Sequence, residues 1–304
     1  MDLILHHYDA SPFSEKVRIV FGMTGQAWSS VITPNMMPKP DLTPLTGGYR
    51  RAPVLQAGAD VYCDSMAILD ELQRRTPLAG DRGLAGLRGI GLWADRLFFQ
   101  ATVPVIFGEM GHLPPKAFIA DREKLSGRPF DVEAMAQAAG PMRIQWRGHA
   151  SWLDYALGDA PFLAGDRPGL ADASAWMNIW WLKGALPDTY DRLTVGLDRL
   201  EAWRRRMADI GHGVRKEITG AEALAIAKSV RPADPPAHDP NDALGLSPGD
   251  AVVVMADDYG RDPIAGTLVA ARHSRLILAQ ETPDLGRLHL HFPRVGYVAL
   301  PGKS

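Results

Sequence analysis

A single cysteine, Cys63, occurs in 304 residues. One thiol forms no internal disulfide and no cysteine metal cluster within the chain, a composition that suits a reducing compartment. An excess of charge of one sign is also missing: 33 Lys and Arg stand against 35 Asp and Glu, a net charge of −2. That balance argues against a long-range pull toward nucleic acid or an anionic membrane. The compact basic triplet Arg204-Arg205-Arg206 lies between Trp203 and Met207 in a helical pattern and reads as a solvated face. No uninterrupted apolar run approaches the ~18 residues of a bilayer span. The segment Met1-Asp-Leu-Ile-Leu-His-His lacks the basic region and long apolar core of a secretory leader. The expectation is a soluble cytoplasmic protein that binds neither nucleic acid nor membrane.

What is present is enough apolar residue to fill real cores (46 %) and a length that suits two domains with an appendage. Residues 1–78 alternate strand and helix signals. Leu3-Ile4-Leu5 is a short buried strand. Phe13, Val17, Val20, Phe21 and Thr24 form a helical stripe that stops at Gly25. Val31-Ile32 is a second strand, and a proline-rich loop follows from Pro34 to Pro44. Val54-Leu55 and Val61-Tyr62 flank a hairpin turn at Ala57-Gly58-Ala59-Asp60, and a helix runs from Met66 to about Arg75. The order is β-α-β-β-β-α.

Residues 84–230 read as helices. One carries Leu87, Ile90, Trp93, Leu97 and Phe98 and is interrupted at Pro104. Others span 134–156, 172–182, 195–207 and 221–230, and a proline-containing segment at 111–130 is placed to cap a cleft. Prolines 232, 235, 236, 240 and 248 punctuate a linker at 231–248. Five short β runs then fill 249–304, separated by Gly, Asp and Pro at antiparallel spacing. So small a unit is near the limit for folding alone, and it is expected to dock on the helical domain. The fold class is α+β.

Three short segments carry chemistry. Ser11 precedes a helix with Pro12 at its first position, which makes it a good N-cap. A hydroxyl at a helix start also donates to a thiolate, in the positive potential of the helix end, and so lowers a bound thiol's pKa from ~8.5 toward neutrality. Ala52-Pro53 enters a strand. A cis bond there would turn the Val54 backbone outward to meet an extended peptide, whereas a trans proline would simply open the strand. Asp64-Ser65 starts a helix, either as a plain cap or as a pair holding a carboxylate at the helix amides and an ammonium at Asp64. Arg50 and Arg51 are candidate carboxylate partners.

Together, Tyr8-Asp-Ala-Ser11-Pro12-Phe13-Ser-Glu-Lys-Val17-Arg18, Ala52-Pro53-Val54-Leu55 and Cys63-Asp64-Ser65-Met-Ala-Ile68 resemble the thioredoxin-like half of serine-type glutathione transferases. Phe162-Leu163-Ala-Gly165-Asp166 and Leu170-Ala171-Asp172 are similar to the start of that family's sixth helix. Gly169 replaces the usual hydroxyl residue there, so Asp172 is left to cap from one side, at a cost of about 1 kcal/mol or less. The resemblance covers residues 1–230. It implies a thioredoxin-like domain, an all-helical second domain, a homodimer and glutathione as cosubstrate. It further implies that Ser11 activates the thiol, with Tyr8 as the alternative hydroxyl. Pro53 would be cis, Val54 would align the cysteinyl backbone, Asp64 and Ser65 would hold the γ-glutamyl end, and Arg51 would meet the glycyl carboxylate.

Serine at position 11 cannot form a mixed disulfide, which points to conjugation and away from thiol–disulfide exchange. Cys63 reads as a small buried apolar residue. His6, His7, His289 and His291 lack metal partners at ligand spacing and read as strand-face histidines, so no metal is expected. Phe13, Trp93, Phe98, Phe99 and the 111–130 segment are the expected wall of an apolar pocket for a small hydrophobic electrophile. A glutathione transferase attacking a hydrophobic electrophile or a peroxide, a non-catalytic glutathione-binding scaffold, and a glutathione-dependent isomerase or ether-cleaving enzyme share these features.

Overall fold

The computed structural model describes residues 2–78, 87–111 and 114–302. Strand β1 (Ile4–His7) feeds helix α1 (Pro12–Thr24), which ends on Gly25 in the left-handed conformation and returns as β2 (Ala27–Ile32). The proline loop holds a single helical turn, α2 (Thr43–Thr46). The hairpin β3 (Val54–Ala57) and β4 (Asp60–Cys63) follows, and then α3 (Ser65–Arg75). β2 pairs parallel and β3 antiparallel to β1, with β4 outside β3. Alternate side chains leave the sheet on opposite faces. Leu3, Leu5, Leu55, Ala57 and Tyr62 enter the core under the helices, while Val54, Val61 and Cys63 point to the other face.

The helical part comprises α4 (Leu87–Trp93), a π-helical turn at Ala94–Phe98, α5 (Phe99–Glu109), α6 (Lys116–Ser126), α7 (Val132–Leu157), α8 (Leu170–Ala185), α9 (Pro187–Leu193) and α10 (Asp198–Ile210). The proline expected to interrupt a helix does not. Pro104 lies inside α5, and Pro141, within the helix expected over 134–156, lies inside α7. Each removes one backbone rung, but α5 and α7 pack along each other, and tertiary burial holds a helix that propensity alone would break. The continuous stretch Arg88–Glu109 is long and apolar enough, at mean hydropathy 1.2, to cross a membrane by length and composition. It instead packs on α7 and α8, and it carries Asp95 in an ion pair with Lys16. Trp146, Trp203, Tyr190 and Phe98 are wholly buried where these helices meet α1.

Asp172 ties this packing together. It accepts N–H bonds from Leu163 (2.8 Å), Ala164 (3.3 Å) and Gly169 (3.0 Å), and from the Trp203 indole (2.7 Å). Gly169 adds no reciprocal bond, as expected for a residue without a side chain.

Two expectations about the second half need correction. The segment placed at the end of the helical domain returns to the first sheet. β5 (Val214–Glu217) pairs parallel with β2, and α11 (Gly220–Ser229) covers Ile4 and Val31 with Ala223. The C-terminal strands β6 (Ala251–Ala256), β7 (Ile264–Ala271), β8 (Arg275–Thr282), β9 (Gly286–Pro293) and β10 (Tyr297–Pro301) also do not dock mainly on the helices. β9 lies parallel to β4, registering Asp60 with His289 and Tyr62 with His291, and so completes one ten-stranded sheet in the order β10-β6-β7-β8-β9-β4-β3-β1-β2-β5. The reason is physical. A free β4 edge would leave backbone groups unpaired, and the faces of Val54, Val61 and Cys63 need cover, which Val254, Leu278, Leu290 and Phe292 supply.

Candidate functional site

Helix α1 begins beside the site because Ser11 caps it. The Ser11 Oγ accepts the Ser14 N–H at 3.1 Å, and the Ser11 N–H donates to the Tyr8 carbonyl at 3.1 Å. Ser11 donates its hydroxyl hydrogen to no group among the described residues, so the hydrogen is available to an acceptor arriving at the helix start. Capping and donation thus use different parts of one hydroxyl. Behind it, α1 buries three charged side chains, each paired. Lys16 binds Asp95 at 2.7 Å, and Arg18 binds Glu15 at 2.9 Å. Glu15 also accepts the Trp176 indole N–H at 2.8 Å and meets His212. Burial pushes the Glu15 carboxyl up, but His212, Arg18 and Trp176 together hold it below the ordinary range.

The second corner is the start of α3. Asp64 is the one non-glycine residue among those described with a positive φ, 82°. Such a conformation costs of order 1–3 kcal/mol and persists where surroundings impose it. It aims Oδ1 at the Met66 N–H, 2.8 Å away, and leaves Oδ2 to accept from the Tyr297 hydroxyl at 3.1 Å. Ser65 Oγ lies 3.4 Å from Lys16 Nζ. The π-helical turn places Asp95 and Arg96 on the same wall. Burial raises the Asp95 carboxyl despite its lysine partner. The Ala52–Pro53 bond is cis.

Two adjoining cavities contain these residues. The smaller, 70 Å³, is lined by Asp64, Ser65, Asp95, Arg96, Pro53 and Tyr297 among others. Its wall carries both carboxylates and guanidinium groups, a setting suited to a small zwitterion. The larger, 330 Å³, has Ser11 and Tyr8 at its floor and an aromatic wall of Phe13, Phe99, Phe107, Phe118, Phe130 and Trp181. Lys39, Arg50 and Arg122 supply its basic rim. Arg50 and Arg122 both pair with Asp121. The Lys39 ammonium has no ion-pair partner within 4 Å among the described residues and lies 5.9 Å from the Tyr8 ring centre. Burial, aided by Arg122 and Arg50 and opposed by Asp121, pushes the Lys39 amine down to about 8.

The structure therefore brings Ser11, Tyr8, Phe13, Arg51, Pro53, Asp64 and Ser65 to the walls of these cavities. It does not bring Val54. That residue is wholly buried between β1 and β4 with its side chain in the C-terminal core, and Ala52 and Pro53 take the wall position expected of it. Arg51 is present, but its guanidinium is committed to Asp258 at 2.6 Å. Trp93 and Phe98 are also absent from the walls. They stack on each other beside His149, in the helical core.

Cys63 is buried, its thiol raised well above the usual range by desolvation and by Asp64. His6 bonds Gln56 at 2.8 Å and His7 bonds Ser30 at 2.9 Å, and no group of three possible ligands among the described residues is arranged to hold a metal. Sequence reasoning missed Lys39, Asp95, Asp258, Tyr259 and Tyr297. Lys39 was visible as a lysine between two prolines; the others reach the site only through tertiary contacts and carry no local signal.

The glutathione S-transferase N-terminal domain profile matches residues 5–80, and the glutathione S-transferase C-terminal domain profile matches residues 125–206. Among curated proteins no relative matches. Of solved structures, a GST-like protein from Pseudomonas syringae is 31 % identical, with a TM-score of 0.81 over 99 % of both chains. It therefore spans the C-terminal strands as well. Poplar glutathione transferase F1 is 13 % identical, with a TM-score of 0.53 over 76 % of this chain and 100 % of its own. A glutathione-S-transferase from Xylella fastidiosa is 21 % identical, with a TM-score of 0.51 over 67 % of this chain and 91 % of its own. These two share the fold and leave a quarter to a third of this chain unmatched. With both domain profiles present in order and a relative matched over nearly the full length, the chain belongs to the glutathione S-transferase family.

Proposed function

We propose that the protein is a glutathione transferase in which Ser11 holds the thiol of glutathione as thiolate for attack on a hydrophobic electrophile. The observation that carries this reading is a hydroxyl with an uncommitted hydrogen at a helix start, facing an aromatic cavity of 330 Å³ and adjoining a small cavity of mixed charge. In it, Asp64 and Ser65 hold the α-amino-acid end of the γ-glutamyl group. Lys39, a buried cation without an ion-pair partner among the described residues, meets the glycyl carboxylate, a role expected of Arg51 from sequence. Ser11 then donates to the sulfur, and the first-turn amides of α1 add positive potential, so the thiolate forms near neutral pH. The aromatic wall desolvates the acceptor and holds it against the sulfur.

Ser11→Ala tests the assignment. Removing one preorganised donor from a developing or resident anion typically costs about 10²-fold in turnover. Glutathione affinity, read by titration calorimetry, is expected to stay within about threefold because the peptide is held elsewhere. Turnover equal to that of the native protein would remove Ser11 as activator and turn attention to Tyr8.

A further inference from the structure

The C-terminal strands do more than extend the sheet. Phe13, Arg51, Ala52 and Tyr259 line both cavities, so these four residues form the neck between them. Three come from the N-terminal domain. Tyr259 comes from the loop between β6 and β7, and that loop is fastened along its length. Asp257 pairs with Arg96, and Asp258 pairs with Arg51 at 2.6 Å. The Arg51 guanidinium lies 4.2 Å from the centre of the Tyr259 ring, and the Gly260 N–H donates to the Leu125 carbonyl on α6 at 2.7 Å. Gly260 sits at a φ of +60°, and a Cβ there would come within 2.8 Å of Arg51 Nε and 2.9 Å of Leu125 Cδ1. A side chain there would have to displace both groups and hold a left-handed backbone, which glycine avoids. The connection between β9 and β10 adds Val295 and Gly296 to the small cavity, and the first residue of β10 adds Tyr297, whose hydroxyl bonds Asp64. Both loops thus cross from the C-terminal strands onto a groove that the N-terminal domain would otherwise leave open.

We propose that the loop Asp257–Gly260 roofs the groove between the two cavities, making Tyr259, with Tyr297 of β10 behind it in the small cavity, a ligand-contacting residue that admits γ-linked and rejects α-linked peptide thiols. The inference rests on the glutathione reading above and deepens it. In a γ-glutamyl link the main chain beside the cysteine is two unbranched methylenes, and the ammonium and carboxylate branch only at the far end, inside the small cavity. In the α-linked isomer the branch stands next to the peptide bond, where Phe13, Ala52, Arg51 and Tyr259 close in. Because the roof is tied on both sides of the groove, it also retards exit of a bound peptide.

The test compares glutathione with its α-glutamyl isomer, α-Glu-Cys-Gly, by titration calorimetry, and measures glutathione dissociation by stopped flow. The native protein, Tyr259→Ala and Asp258→Asn are used. Asp258→Asn is a conservative change at a partly exposed side chain, and its melting temperature verifies folding. The native protein is expected to prefer glutathione at least about tenfold. Tyr259→Ala is expected to reduce that preference to within about threefold, and both variants to release glutathione about tenfold faster. Unchanged preference and unchanged release in both variants overturn the roof while leaving glutathione binding intact. Absence of glutathione binding in the native protein and in both variants overturns the glutathione reading and the roof with it. Binding that appears only in Tyr259→Ala upholds the roof as a closed one.

Discussion

At the scale of single residues, the site divides into groups that a local pattern announces and groups that it cannot. Ser11, Asp64 and Ser65 stand at helix starts, where residue type and backbone role coincide, so they were legible in the chain. Lys39 is visible only as a lysine between two prolines, because what sets it apart is the lack of an ion-pair partner among the described residues. Three cations crowd one carboxylate, Asp121, and Lys39 is the one left over. Its amine, pushed down to about 8, is charged below that pH and neutral above it. Affinity for S-methylglutathione, which has no ionisable thiol, is therefore expected to weaken as pH rises through 8. In Lys39→Met that pH dependence should shrink to the part set by the ligand's own ammonium, and affinity at pH 7 should fall roughly tenfold. A flat native profile between pH 7 and 9 would detach Lys39 from the carboxylate.

Asp172 makes the second residue-scale prediction. It accepts four N–H groups from three segments in a fully buried position. Asp172→Ala leaves those donors without a partner and should destabilise the protein by about 3 kcal/mol in urea unfolding. Asp172→Asn, which keeps an acceptor oxygen, should lose less.

Among the elements, β1 contributes two of the histidines that shape the pH response. Burial lowers His6 to about 4. It lowers His7 to about 3, helped by the positive charge of Arg18 and Arg215. In the unfolded chain both titrate near 6.5. Between these values the unfolded chain binds protons that the folded one refuses, so stability is full above pH 6.5 and falls as pH drops toward 4. Urea midpoints from pH 8 to 5 should fall, with about two protons of the slope near pH 5 coming from these two residues. The double variant His6→Gln, His7→Asn should lower the slope by that amount, leaving the part from His149, His289 and His291, which burial also lowers.

The helices show why one proline misled. Pro104 reads as an interruption in the sequence, but it does not end its helix, because α5 and α7 bury each other, as they do around Pro141, which reads as interior to a helix over 134–156. Strand content was legible throughout 251–301, since alternation and turn residues are local signals. The pairing of β9 with β4 was not, because register between distant strands is decided by which edge and which apolar face lack cover.

For the whole molecule, the continuous sheet makes the C-terminal strands part of one cooperative unit and not a tethered module. β9 closes the β4 edge, and Asp60 accepts from the Ala233 N–H and meets His291 at 2.8 Å across the join. Glu71 in α3 lies 3.5 Å from Arg275 in β8. Calorimetry of the full chain is expected to show a single transition. A chain ending at residue 230 should melt lower and associate through the bared β4 edge and the exposed faces of Val61 and Cys63. Two separate transitions in the full chain, or unchanged melting after truncation, would contradict a shared core.

The join between β4 and β9 also has a consequence in time. β4 is complete once residue 63 has been made, but its neighbour begins only at residue 286. At a synthesis rate of ~5–20 residues per second, roughly ten seconds or more pass before the partner leaves the ribosome. Throughout that interval the nascent protein carries an unclosed strand near the centre of its eventual sheet. The last strands to be translated are thus the ones that seal the first domain to be made.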